Sequence, residues 1–288
     1  MMKTRICMSN ALITAMMVLL LLTLGSAPPV LAEEEKPTVD FSVSPLTKYV
    51  WRGQELTRDS IVIQPSMTVG YKGFTANLWG NLDTKPYAPA GKNYASTWTE
   101  TDLTFAYNKT FGPVTAGAGY IYYALASANK DAPAPLNSQE VFATLTLNKL
   151  LSPTLTAYKE IDHYHQWYFL LGVSHAFEFN KAVSLKLAAS ASYLLSEDAN
   201  TYPKYDSQAL QTTSKFSNFH DGVITASLPI AAAKYITITP TVSYVFPLCD
   251  DAKYEMHARS QKVSIGGSTP SDGDSSYLYG GLTLSFTF

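Results

Sequence analysis

Two groups of charged residues stand where a strand would turn each group to one side. Lys48 and Arg52 are four apart and in step with Asp40, Ser42 and Ser44. Glu100 and Asp102 are two apart, and Asp83 ends a preceding alternation of Asn77, Trp79 and Asn81. Side chains along a strand alternate with a period of two, so each set shares a face. Gln64, Glu160 and Lys186 fall on the equivalent face of their own segments. Cations on one wall of a wet lumen, opposite carboxylates on another, set a transverse field that filters solutes by charge and dipole. Paired directly, the same groups would plug and brace a small interior. On the sequence, both readings stay open.

Covalent catalysis is not expected. A nucleophile needs a base within hydrogen-bond reach, and the adjacent Ser174 and His175 point to opposite faces of a strand. An enzyme of the Ser-His-Asn lipase type is therefore the weakest alternative. His163 and His165 share a face beside Asp162. No third and fourth ligand accompanies them, so neither a metal nor another cofactor is expected.

The elements that must position these residues are strands. The last twelve residues show the pattern most cleanly. Leu278, Gly280, Leu282, Leu284, Phe286 and Phe288 fall on one face, and Tyr277, Tyr279, Gly281, Thr283, Ser285 and Thr287 on the other. An apolar face opposite a small, hydroxylated one suits a strand with lipid on one side and a lumen on the other. A soluble sandwich would carry charge on its outward face. About twelve such segments follow one another, the first from about Val39 to Arg52 and the last from Tyr277. The expected fold is all-β: an antiparallel up-and-down transmembrane barrel with short connections near residues 72, 110, 150, 180 and 232. The connections at the other end are mostly longer, above all 196–219 and 248–276. The segment near 154–161 is the least regular, because Lys159 falls on the lipid face with Leu155 and Ala157. A bulge or a snorkelling lysine would reconcile it.

Composition agrees. Charged residues are 15 % of the chain, against about 25 % in ordinary soluble proteins, and there are 19 tyrosines. Lys3 and Arg5, the apolar run Ala11 to Leu24 and the small residues of Val30-Leu31-Ala32 read as a signal peptide cleaved after residue 32. Its removal takes formal charge from −2 to −4, because two cations leave and no acid does. That balance excludes nucleic acid as a partner. Cys249 is then the sole cysteine, so no intramolecular disulfide forms. Residues 33–38 read as a short periplasmic leader and 39–288 as the barrel.

Ser44 to Gln54 (S-P-L-T-K-Y-V-W-R-G-Q), Pro65 to Tyr71 (P-S-M-T-V-G-Y) and Gly73 to Asp83 (G-F-T-A-N-L-W-G-N-L-D) resemble the TorF family of porin-type proteins. The likeness runs on through Thr99 to Tyr107 and Gly117 to Tyr123. It implies a Gram-negative outer-membrane barrel of porin type and carries no substrate with it.

The function expected is passive diffusion of small hydrophilic solutes or ions through the lumen, with both termini periplasmic. A closed structural or surface-interaction barrel is the alternative. The partners implied are the outer-membrane bilayer, the barrel-assembly machinery and small solutes. Phe286 and Phe288 are expected to serve as an assembly signal.

Overall fold

The computed structural model describes residues 36–57, 60–86, 93–129, 131, 137–259 and 274–288. The expected signal peptide lies outside them. Seventeen strands and one helix are formed by the described residues. They are β1 (Thr38–Leu46), β2 (Val50–Trp51), β3 (Gln54–Glu55), β4 (Val62–Tyr71), β5 (Phe74–Asp83), β6 (Thr97–Phe111), β7 (Val114–Leu125), β8 (Ser138–Leu147) and β9 (Thr154–Glu160). There follow β10 (Gln166–Glu178), β11 (Ser184–Ser196), β12 (Pro203–Tyr205), β13 (Gln211–Lys215), β14 (Ser217–Ser227), β15 (Ile230–Ala233), β16 (Ile236–Pro247), α1 (Asp250–Arg259) and β17 (Tyr277–Thr287).

Thirteen of these strands make a closed antiparallel barrel of twelve wall positions. From β4 round to β17, each wall strand pairs with the next in sequence, omitting the two small hairpins β2–β3 and β12–β13. β14 and β15 both pair with β16 and make one wall position. β17 pairs with β1, from Asp40 opposite Thr287 to Leu46 opposite Gly281, and this seam removes the last open edge. Gly281 is required there by close approach, since a Cβ on it would stand 2.0 Å from the Pro45 carbonyl oxygen.

The outer face is apolar. Leu278 is 66 % exposed, whereas Tyr277 beside it is 2 % exposed. Met67, Leu78, Phe105, Ile224, Val242 and Leu282 are exposed in the same way. Two aromatic girdles flank the belt. At the short-turn end Phe74 packs on Tyr107 at 4.6 Å and Tyr235 on Phe288 at 5.6 Å. At the other end Trp167 stacks on Phe169 and Tyr244 on Phe246. Amphipathic rings are stable at the headgroup level, so the chain is a transmembrane barrel of the outer-membrane kind. Each of the five short turns carries a lysine in it or beside it: Lys72, Lys109, Lys149, Lys181 and Lys234.

The register resolves Lys159. β8 and β9 pair without a shift, so no bulge re-aims the lysine. Instead its ammonium lies 5.3 Å from the Trp167 ring and pairs with Glu197 at the rim. It snorkels along the outer face to a rim carboxylate.

The first strand departs from expectation. It ends at Leu46 rather than Arg52, and the chain then turns into the lumen. Val50 pairs with Glu55 and Trp51 with Gln54, so Arg52 and Gly53 form a two-residue turn. Both have positive φ, 45° and 77°, the conformation of the primed turns that close tight hairpins. Alternation continues through such a hairpin, so periodicity alone reads straight across it. The dipeptide Arg52-Gly53 is the signal that marks the break.

The described parts of the long loops carry structure as well. The 196–219 connection contains the hairpin β12–β13 and the start of β14, and the 248–276 connection contains α1. Tyr202, Phe216, Ala252 and Met256 from these loops pack against Tyr168, Leu194, Val245 and Tyr277 of the wall. The hydrophobic core thus lies inside the barrel at its long-loop end.

Candidate functional site

The lumen has two halves. Toward the short turns its wall is small and hydroxylated, as at the cross-strand pair Thr146–Thr154; the pairs Ser44–Thr283 and Thr225–Ser243 carry the hydroxyl lining farther along the strands, each pair at 2.9 Å. A cavity of about 260 Å³ opens there against Thr154, Gly172, Ser174, Lys186, Ser190 and Thr225. Asn77 lies in this half, its amide donating to Ser66 and Thr68 at 2.8 Å each.

Toward the long loops the β2–β3 hairpin crosses the lumen, touching walls on both sides. Tyr49 packs on Trp79 of β5 at 5.5 Å and Trp51 on Tyr123 of β7 at 6.4 Å. A Cβ on Gly53 would meet Asp221 of β14 and Met256 of α1, both at 3.1 Å. A side chain larger than hydrogen is crowded between wall and helix, and the left-handed φ disfavours it independently.

Arg52 is the centre of this layer. Its two terminal nitrogens donate to the two Glu140 oxygens at 2.7 and 2.6 Å. Its guanidinium carbon lies 4.4 Å from the Tyr168 ring centre, 4.5 Å from Trp51 and 5.0 Å from Tyr158. The Tyr123 hydroxyl donates to Glu140 at 2.9 Å. The side chains of Arg52 and Glu140 are 7 % and 2 % exposed. A buried pair of this kind needs good geometry and further hydrogen bonds to offset desolvation, and this one has both.

Other charged and polar groups also gather inside. Lys48 pairs with Glu55 within the hairpin region. Glu100 and Asp102 lie against Tyr49. Gln64 donates to Asn81 at 3.0 Å, Asn81 to Thr99 at 2.8 Å, and Asp83 accepts from Ser60 at 2.7 Å. Glu160 spends its carboxylate locally. It accepts the backbone N–H groups of Asp162, His163, Tyr164 and His165 and the Ser138 hydroxyl, and so shapes the 161–165 turn. Lys186 stands apart, at the short-turn mouth. Hence the structure brings together Lys48, Arg52, Trp79, Glu100 and Asp102 around one layer, with Gln64, Asn81 and Asp83 on the adjoining wall. It leaves Asn77, Glu160 and Lys186 elsewhere.

Several residues of this layer escape strand patterning. His220 is fully buried, with Nδ1 2.8 Å from Asp221 and Nε2 2.7 Å from Glu255, an arrangement that the doubly protonated ring satisfies. Tyr168 and Ser192 donate to Asp221 at 3.0 and 2.8 Å. Gln54, Tyr202 and Arg259 converge on Glu255. Burial pushes the Glu255 carboxyl up, yet His220 and Arg259 outweigh it and hold the group below its usual range. Glu140, which strand patterning did not single out, lies on the inward face of β8 in step with Phe142 and Thr144. Its role is not legible in the sequence, because its partner is 88 residues away.

Among the described residues, no cluster of three His, Cys, Asp or Glu is placed to hold a metal ion. His163 lies 3.2 Å from Asp162 in the rim turn. Ser174 and His175 do face opposite ways, Ser174 lining the cavity while the His175 ring packs on Phe177 at 4.7 Å.

Residues 32–193, more than half of the chain, match the family described as "Bacterial protein of unknown function (Gcw_chp)". The chain belongs to that family. The matched region takes in β1 to β10, the crossing hairpin and Arg52, Glu100 and Glu140. No curated protein sequence matches the chain. Among solved structures it is similar to the NanC porin, at 10 % identity and a TM-score of 0.48 over 86 % of this chain and 98 % of that one. It is also similar to LpxR from Salmonella typhimurium, at 9 % identity and 0.47 over 87 % and 100 %. An outer-membrane channel from Pseudomonas putida F1 gives 8 % and 0.47 over 91 % and 100 %.

Proposed function

We propose that this Gcw_chp family member is an outer-membrane channel for small hydrophilic solutes or ions, its constriction closed by the Arg52–Glu140 layer. The observation that carries this reading is the contrast between the two halves of the lumen. A barrel built only as a solid support would be filled along its length. Here the short-turn half is lined by small hydroxyls and leads to a charged layer in which the inserted hairpin meets the 196–219 loop and α1. The cation of that layer, Arg52, faces Glu140 directly, with Glu100 and Asp102 on the neighbouring wall. This is the constriction expected of a pore that selects by charge, and the likeness of residues 44–123 to the TorF porin-type family points the same way.

The short turns and both ends of the barrel-forming chain face the periplasm in this reading. Short turns lie on that side in outer-membrane barrels, and the five lysines would meet anionic headgroups there. Phe288, exposed beside Tyr235 at that end, would serve the barrel-assembly machinery. The protein is not an enzyme in this account: His220 has both nitrogens committed to carboxylates and no exposure, which leaves it no role as a base.

Planar-bilayer recording tests the reading. Purified protein is expected to give small stepwise openings, and replacing residues 48–57 by a Gly/Ser linker to enlarge them. Arg52→Ala should shift selectivity toward cations. No conductance from the wild type or from the linker variant would leave the closed structural barrel as the account.

A further inference from the structure

The surroundings of Arg52 are those of a ligand rather than of a structural side chain. A carboxylate receives its planar fork at both oxygens, the geometry by which a guanidinium is recognised. Aromatic rings from three different places, Trp51, Tyr158 and Tyr168, lie within 5.0 Å of its carbon, the cage that organic cations favour. Tyr123 orients the carboxylate from behind. All but Trp51 belong to the barrel wall, so the receptor exists independently of the hairpin that fills it.

The occupant sits at a turn position that disfavours it. Arg52 has φ 45° at the first position of a two-residue turn. That position suits glycine or asparagine, and a long side chain there is disfavoured. Lys72-Gly73 repeats this pair of angles, 49° and 83°, in a short exposed turn, so the carboxylate fork and the three rings, rather than the backbone, single out Arg52.

We propose that Glu140, Tyr123, Tyr158 and Tyr168 form a receptor for the guanidinium or alkylammonium group of a permeating solute, and that Arg52 is the chain's own replaceable occupant. This names the solute class of the channel reading and rests on it. A solute cation that takes the Glu140 fork releases the Arg52–Gly53 turn and with it the hairpin's hold across the lumen. Anionic and neutral solutes have no means of doing so.

Methylguanidinium and its neutral isostere N-methylurea separate charge from shape. In calorimetric titration, Arg52→Ala is expected to bind methylguanidinium on the order of tenfold more tightly than Arg52→Ala/Glu140→Gln does, and N-methylurea equally weakly in both. Equal methylguanidinium binding by the two variants overturns the proposal. Should Arg52→Ala not fold, the wild type decides. Millimolar methylguanidinium should speed hydrogen exchange at Trp51 to Gln54 where N-methylurea does not, and equal exchange with both overturns the proposal. Conductance is recorded separately. Binding without conductance in any variant sustains the receptor and removes the channel, while conductance with no selective binding removes this inference alone.

Discussion

The Arg52 guanidinium and the Glu140 carboxylate, 88 residues apart in the chain, meet through two hydrogen bonds of 2.7 and 2.6 Å inside the barrel. One comes from a hairpin that leaves the wall, the other from the wall itself. The pair therefore ties the inserted segment to β8, and Gly53 beside it passes between β14 and α1. Several expected outcomes follow from this junction.

Removing one partner leaves the other charged and buried. Glu140→Gln should cost about 3 to 5 kcal/mol of stability. The double variant Arg52→Met/Glu140→Leu should recover most of that, because it removes both charges. Urea unfolding in detergent micelles, followed by tryptophan fluorescence, measures both. A Glu140→Gln midpoint equal to wild type would mean that water already solvates the pair.

Gly53→Val should destabilise independently of charge. The new Cβ meets Asp221 and Met256 at 3.1 Å with φ at 77°, and the left-handed conformation alone costs about 1 to 2 kcal/mol. The same unfolding assay should show a lowered midpoint. Gly53→Asn, which tolerates that conformation better, should fall between the two.

The β1–β17 seam gives a test of closure. Gly281→Val places a side chain against the Pro45 carbonyl, where even a Cβ would stand at 2.0 Å. The variant should lose the heat-modifiable gel mobility of a closed barrel. Deleting Phe288 should instead lower the yield of inserted barrel while leaving the Arg52–Glu140 pair intact, since Phe288 packs on Tyr235 and pairs with Val39 at the short-turn end. A normal-yield deletion mutant would count against its assembly role.

Acid should loosen α1. The Glu255 carboxyl is held below its usual range in the folded chain. It therefore contributes stability that is present above the unfolded value, roughly 4.3, and is lost as pH falls through the folded one. Hydrogen exchange in Asp250–Arg259 should rise on acidification in the wild type. In Glu255→Gln it should be raised already near neutrality and respond less to acid.

Most of the wall was legible in the sequence. β5, β11 and β17 alternate apolar and small-polar residues without a break, and a period of two assigns each residue to lipid or lumen. Those faces follow from local chemistry, because one solvent is hydrocarbon and the other is water. Tyrosines and tryptophans near strand ends also read as an outer girdle, which holds for Tyr107, Trp167 and Tyr244 but not for Tyr49 and Trp51, which the hairpin turns into the lumen.

Tertiary structure alone decided the lumen's contents. Alternation persists through the 50–55 hairpin, so the pattern of the first strand continued past its true end at Leu46, with only Arg52-Gly53 to signal a turn. The loops at 196–219 and 248–276 carry no period, yet Tyr202, Phe216 and Met256 fold back to make the core. Ion pairs are set by which walls face each other across the barrel, and strand periodicity contains no information about distance around the circle. It showed that Arg52, Glu100 and Asp102 point inward. That Arg52 meets Glu140 in an aromatic cage, while Glu160 spends its charge on a rim turn, depended on the closed barrel and the chain folded inside it.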